Sequence, residues 1–193
     1  MPLQKTQLFY TYADYLKWPE QDRWELLEGV PYSMAPPSVN HQRILGKLFR
    51  QIANYLDGKT CEPFLAPIAV VFPEKNQTRK DAKTVVEPDI TVICDKTKIN
   101  KQECEGSPDF IIEILSPATA KRDAITKRAL YERHGVKEYW IVDPLHKLVI
   151  AYRLEQEKFG VPANYSDEDL APVMIFENLA IDLKQVFDGM EEE

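Results

Sequence analysis

The most constraining stretch of the chain is DFIIEIL, residues 109–115. Side chains alternate across a β-strand, so Phe110, Ile112 and Ile114 share one face, and Ile111, Glu113 and Leu115 the other. A strand that is apolar on both faces belongs inside a sheet covered above and below. Glu113 is the intruder in that run. Burying a lone carboxylate costs several kcal/mol, so a buried Glu113 needs a proton or a cation. The alternatives are a place at the sheet rim or a pairing with a basic residue.

Around this strand the spacing predicts two long helices. Ile44, Leu45, Leu48, Ile52 and Leu56 recur at helical intervals over residues 40–57, with Ser38 or Asn40 as cap and Gly58 as stop. A second helix runs from Thr119 to about His134 and is closed by Gly135. Residues 11–17 predict a short helix stopped by Pro19, and residues 23–34 two short strands around Gly29. Further strands are expected within 60–72 and over 85–94, 138–142 and 148–153, with a loop at 74–83. After Asp167 the pattern suggests a strand and then a short helix. Strands outnumber helices, which predicts an α/β or α+β mixed sheet rather than a sandwich or a long doubly wound sheet. At 193 residues one domain is expected over 1–193, with an acidic C-terminal segment from about residue 166.

Composition narrows the class. A hydrophobic share of 44% and a charged share of 28% exclude wholesale disorder. No apolar run reaches the ~18 residues of a membrane span, and the start lacks the apolar stretch of a signal peptide. The cytoplasm is the expected compartment. Cys61, Cys94 and Cys104 have no close metal-type spacing and are expected to be ordinary thiols. The net charge is −7, which disfavours nucleic acid as a default partner. Residues 166–193, however, hold nine acids and one base, a charge of −8, so residues 1–165 carry +1. Residues 121–137 hold six bases and two acids, a local +4 compatible with a polyanion. A solvated helix face and an acidic solubilising tail explain the same charges.

A metal site at Glu113 wants a second carboxylate. Asp109 lies four residues before it on the same strand, ~13 Å away at ~3.3 Å per residue, too far to share an ion. Asp89 belongs to another strand, and neighbouring strands lie only ~4.8 Å apart, so Asp89 is preferred. Glu87 is a possible third oxygen ligand. On the second helix, Ala120, Ala124, Lys127, Tyr131 and His134 share one face. Lys127 then either snorkels to water or supplies positive charge beside a metal. Oxygen ligands suit Mg²⁺ or Mn²⁺, and two carboxylates with a lysine make a kit for phosphodiester hydrolysis.

Pro88-Asp89, then Glu113 in a buried strand, then Lys127 on a helix resembles the PD-(D/E)XK nuclease superfamily. More narrowly, RWELLEG (23–29), PPSVNHQRI (36–44), VEPDITVI (86–93) and SPDFIIEILSPATAKRDAITKRALYERHGVKEYWIVDP (107–144) resemble its "putative restriction endonuclease" family. The resemblance spans about residues 8–155 and implies a restriction-endonuclease-like core, a mixed sheet flanked by helices. It implies a divalent metal at Asp89, Glu113 and the backbone carbonyl of Ile114. The strict superfamily pattern wants a lysine two residues after the acid, where this chain has Leu115; the family's lysine on the following helix fits Lys127, with Lys121 as fallback. Glu28 and His41 fall in recurrent segments of the family and are expected to support the site, and Tyr131 to brace Lys127 one turn away.

The leading expectation is therefore a Mg²⁺- or Mn²⁺-dependent DNA endonuclease, catalytic through Asp89, Glu113 and Lys127. The alternative is a catalytically silent nuclease-fold domain that binds nucleic acid or a protein partner. A homodimer is expected by analogy with restriction-type enzymes. Leu8, Phe9, Tyr12, Tyr15 and Leu16 would then cover a partner, or else only the chain's own core.

Overall fold

The computed structural model describes residues 9–19, 22–117 and 119–190. In chain order the elements are α1 (Tyr12–Tyr15), β1 (Trp24–Leu27), β2 (Val30–Ser33), α2 (Val39–Leu56), β3 (Glu62–Leu65), β4 (Ala69–Val71), β5 (Val85–Val86), β6 (Ile90–Ile93), β7 (Glu103–Glu105) and β8 (Phe110–Ile114). A π-helical turn, Arg122–Lys127, then leads into α3 (Arg128–His134). There follow β9 (Glu138–Asp143), β10 (Leu148–Glu155), β11 (Lys158–Phe159), β12 (Ala163–Ser166), β13 (Leu170–Pro172), β14 (Ala180–Asp182) and α4 (Leu183–Phe187).

The main sheet runs β11-β10-β9-β8-β6-β3, with β12 also paired to β10; β8 and β9 are parallel and the other pairs antiparallel. A second sheet runs β2-β1-β5-β4-β7, and β13 and β14 form a hairpin. The α+β class with a mixed sheet stands as expected.

The central strand β8 is covered on both faces, as its sequence demands. Phe110, Ile112 and Ile114 pack with Ile44, Leu48 and Ile52 of α2 and with Leu183, Val186 and Phe187 of α4. Ile111 packs on the other side with Leu130 and Tyr131 of α3, Tyr139 of β9, Val70 and Val86 from the second sheet, and Phe72 just after β4. Each fully buried aliphatic side chain contributes about 1.5–3 kcal/mol of burial. α2 starts where Ser38 accepts the His41 N–H, a side-chain cap for an orphan backbone donor.

Several expectations are corrected. The strand over 85–94 is two strands in two sheets, β5 in the second and β6 in the main one. Pro88 has no N–H for a ladder, so the chain crosses between sheets at residues 87–89. The helix at 11–17 is shorter, Tyr12–Tyr15. Tyr12 is buried and Tyr15 packs near it, whereas Phe9 and Leu16 are exposed, and Leu8 lies outside the described residues. Cys61 and Cys94 form a disulfide, so among the cysteines only Cys104 is a free thiol. The β3–β6 register pairs Glu62 with Ile93, and the next pair outward is Cys61 with Cys94. The C-terminal segment is no mere solvated tail. Ala171, Val173, Leu179, Ile181, Leu183, Val186 and Phe187 join the core while Glu168, Asp169, Glu177 and Asp188 face water. It holds two strands, β13 and β14, before its helix.

Candidate active site

Asp89 immediately precedes β6 and Glu113 lies on β8. The register Ile90↔Ile112 continues to Asp89 opposite Glu113. Asp89 Oδ2 accepts the Ile114 backbone N–H at 2.8 Å, and His41 Nε2 of α2 lies 3.2 Å from the same oxygen. Glu113 Oε1 accepts hydrogen bonds from Lys127 Nζ at 2.9 Å and from the Tyr131 hydroxyl at 2.7 Å. The structure thus brings together Asp89, Glu113, Lys127, Tyr131 and His41.

Two further carboxylates complete the cluster. Glu25 of β1 is fully buried, and its Oε1 lies 2.7 Å from Lys127 Nζ and accepts the Glu87 N–H at 3.1 Å. Asp123 Oδ1 lies 3.4 Å from the same ammonium. At the π-turn the Tyr139 hydroxyl donates to the Asp123 carbonyl at 3.1 Å, which ties the turn to β9. Lys127 is therefore not a snorkelling residue. Its ammonium has three protons, and three carboxylates surround it.

Sequence reasoning passes over Glu25 and Asp123, although both leave a signal. Glu25 stands in WELL, a charge among apolar strand residues like Glu113 in FIIEI, and Asp123 is four residues before Lys127 on a helix. Glu28 goes elsewhere: its side chain is 67% exposed and pairs with Arg133 at 2.8 Å. Glu87 faces Arg23, whose guanidinium gives it two hydrogen bonds, at 2.7 and 2.9 Å, and Tyr15 donates a third at 3.0 Å. Asp109 pairs with Lys137 at 2.6 Å and accepts the Cys94 N–H.

Glu25, Asp89, Glu113, Asp123, Arg122 and Lys127, with His41 and Glu87, line a cleft of about 720 Å³. Burial pushes the Glu113 carboxyl well above its ordinary value; Lys127 opposes this, and Asp123, Asp89 and Glu25 reinforce it. Burial also pushes Asp123 up, against Lys127. For Lys127 burial acts downward, but Glu113, Glu25 and Asp123 reverse it and hold the ammonium well above its ordinary value. Four carboxylates (Glu25, Asp89, Glu113, Asp123) and two basic groups (Arg122, Lys127) stand together in the wall of the cleft. Among the described residues, Asp89 Oδ1 and Glu113 Oε2 take no hydrogen bond from protein. That donor set, two carboxylates with one open oxygen each, fits Mg²⁺, which takes one or two carboxylates and completes its shell with water and substrate oxygens. Among the described residues, no three or more His, Cys, Asp and Glu side chains cluster as a protein-only metal cage.

Comparison with known proteins agrees with the fold. The chain is 27% identical over 160 residues to "Uncharacterized protein slr1290" of Synechocystis sp., an overlap of 81% of this chain and 80% of that protein. Its fold is similar to that of "a putative nuclease belonging to DUF820" from Anabaena variabilis, with a TM-score of 0.73 and 24% identity over 92% of this chain and 97% of that one. Residues 12–184 match the family Uma2, described as "Putative restriction endonuclease", and the chain belongs to that family.

Proposed function

We propose that the cleft binds a divalent cation, Mg²⁺ or Mn²⁺, and hydrolyses phosphodiester bonds in DNA. The observation that carries this reading is the Asp89–Glu113 pair, set side by side on neighbouring strands with one carboxylate oxygen of each free of protein hydrogen bonds among the described residues. Asp89 and Glu113 would hold the ion. A strand residue directs its N–H and C=O to the same edge, so the Ile114 carbonyl is offered on the side where its N–H meets Asp89. When bound, the ion supplies charge for a phosphoryl oxygen and a more acidic water. The chain's own groups prepare the site. Lys127 fixes Glu113 and Glu25, Tyr131 fixes the same oxygen of Glu113, and His41 orients Asp89. Glu28 has no part in this reading.

A silent nuclease-fold domain that binds nucleic acid or a protein partner is the second reading. The net charge of −7 favours it. A single domain over the whole chain, a homodimer and a cytoplasmic location belong to the same proposal. Among the described residues no helix is long and apolar enough to cross a membrane.

The test incubates purified protein with supercoiled plasmid, single-stranded DNA and RNA in Mg²⁺, Mn²⁺ or EDTA, beside Asp89→Asn and Glu113→Gln. Metal-dependent cutting of DNA that both variants lose is the expected result. Undiminished cutting by both variants overturns the assignment, and binding without cutting favours the second reading.

A further inference from the structure

We propose that Arg122, at the head of the π-turn, is the residue that grips a phosphate of the substrate backbone. The inference rests on the nuclease reading and assigns a task that Lys127 cannot perform. Lys127 is hydrogen-bonded to Glu113 and ion-paired with Glu25 and Asp123, and its side chain is 3% exposed. An incoming phosphate would have to break one of those bonds to reach it.

Arg122 is in the opposite condition. It lines the same cleft, and its guanidinium lies 5.0 Å from the Tyr32 ring of β2. Its nearest carboxylate oxygen, Glu25 Oε2, is 3.9 Å from Nε, too long for a hydrogen bond. Nε is buried and, among the described residues, has no hydrogen-bond partner; Glu25 Oε2 is likewise without one. A guanidinium carries five N–H donors in a planar fork. Here the charge of Glu25 and the face of Tyr32 hold that fork, while its donors remain unspent. The other arginine of the cleft, Arg23, has two hydrogen bonds to Glu87. A tetrahedral oxyanion with two oxygens for the fork supplies what Arg122 lacks, and a phosphodiester beside the Asp89–Glu113 pair is such a group.

The test compares full-length wild type, Arg122→Gln, Arg122→Lys and Tyr32→Leu. Each is titrated with a fluorescent DNA duplex and a single strand in Ca²⁺ over a range of salt, and with inorganic phosphate in a thermal-shift assay. Cleavage kinetics in Mg²⁺ run alongside. For Arg122→Gln we expect about tenfold weaker DNA binding and a salt slope for duplex smaller by about 0.9, one phosphate contact. Its KM rises more than its kcat falls, and phosphate no longer stabilises it. Arg122→Lys keeps the salt slope but not the affinity. Tyr32→Leu, which leaves the charge beside Glu25, falls between wild type and Arg122→Gln and keeps the proposal testable should Arg122→Gln misfold. Unchanged affinity and slope in Arg122→Gln overturn the proposal, as does a wild type that binds neither DNA nor phosphate. A slope difference without any cleavage upholds the phosphate contact and overturns the nuclease reading instead.

Discussion

Glu25 Oε1 and Lys127 Nζ meet at 2.7 Å, tying a strand of the five-stranded sheet to the helical segment packed against the seven-stranded one. Both side chains are buried, and the same ammonium also reaches Glu113 at 2.9 Å. This contact joins the three structural units whose side chains make the cleft.

Glu25 and Glu28 are three residues apart and should differ sharply on replacement. Glu25→Ala strips a partner from Lys127 and an acceptor from the Glu87 N–H, and breaking a buried pair this way costs about 3–5 kcal/mol. Glu28→Ala removes an exposed pair with Arg133, a loss of about 0–1 kcal/mol. Urea unfolding of the two variants checks this, and equal losses would contradict the assignment of Glu25 to the charge cluster.

Lys127→Met should be among the most destabilising single changes. It leaves Glu25, Glu113 and Asp123 without their shared cation, with a loss of about 3–5 kcal/mol. Adding Glu113→Gln should recover part of that loss, because one stranded charge is gone. A double-mutant cycle from thermal melts measures the coupling, and strict additivity would show that the two groups act separately.

Stability without metal should fall as pH rises above the ordinary carboxyl range. Burial raises the Glu113 carboxyl well above 4.5, so above that pH the unfolded chain has released a proton that the folded chain still holds. The unfolded state then binds fewer protons, and the slope of stability against pH is negative. In EDTA, the urea midpoint of wild type should drop more between about pH 5 and about pH 8 than that of Glu113→Gln. Asp123 shifts in the same direction but is present in both proteins. Lys127 is raised above 10.5, so its contribution persists through this window and is lost only in strong alkali. Mg²⁺ affinity should rise over the same interval, since the ligand must lose its proton first. Parallel curves for the two proteins would remove Glu113 as the cause.

The thiols should count in steps. Burial pushes the Cys104 thiol up to about 12, so a thiol reagent should find none in the native, unreduced protein. It should find one after denaturation and three after reduction, matching one free cysteine and the Cys61–Cys94 bridge. Replacing that pair by serines opens a loop of sequence separation 33 and should cost about 3–4 kcal/mol on the chain-entropy account. Three reactive thiols in denatured, unreduced protein would show the bridge absent.

What the sequence displays is local. The two-faced pattern of β8 and the helical spacing of Ile44, Leu48 and Ile52 are set by neighbours within a few residues, and both features form as read. The meeting of Asp89 and Glu113 follows from strand spacing once both lie on adjacent strands. Glu25 is harder because its partner is on a distant helix, and Glu28, beside Gly29, sits in the same short motif. The bridge between Cys61 and Cys94 depends on the β3–β6 register, which no local period announces. The break at residues 87–89 is marked by Pro88, yet the apolar residues on either side read as one strand. The role of Arg122 is invisible in one dimension, because it follows from which donors its neighbours have already used.

The cleft is walled by residues of both sheets, and that has a consequence for how the protein comes apart. Loosening the second sheet alone would carry Glu25 away and leave Lys127 with a different set of charges. Separating Glu25 from Lys127 dismantles the charge arrangement on which the site depends. Hydrogen exchange at the Glu87 amide, whose proton is held by Glu25, would therefore time the loss of the site itself, one residue serving as a clock for the working state of the whole molecule.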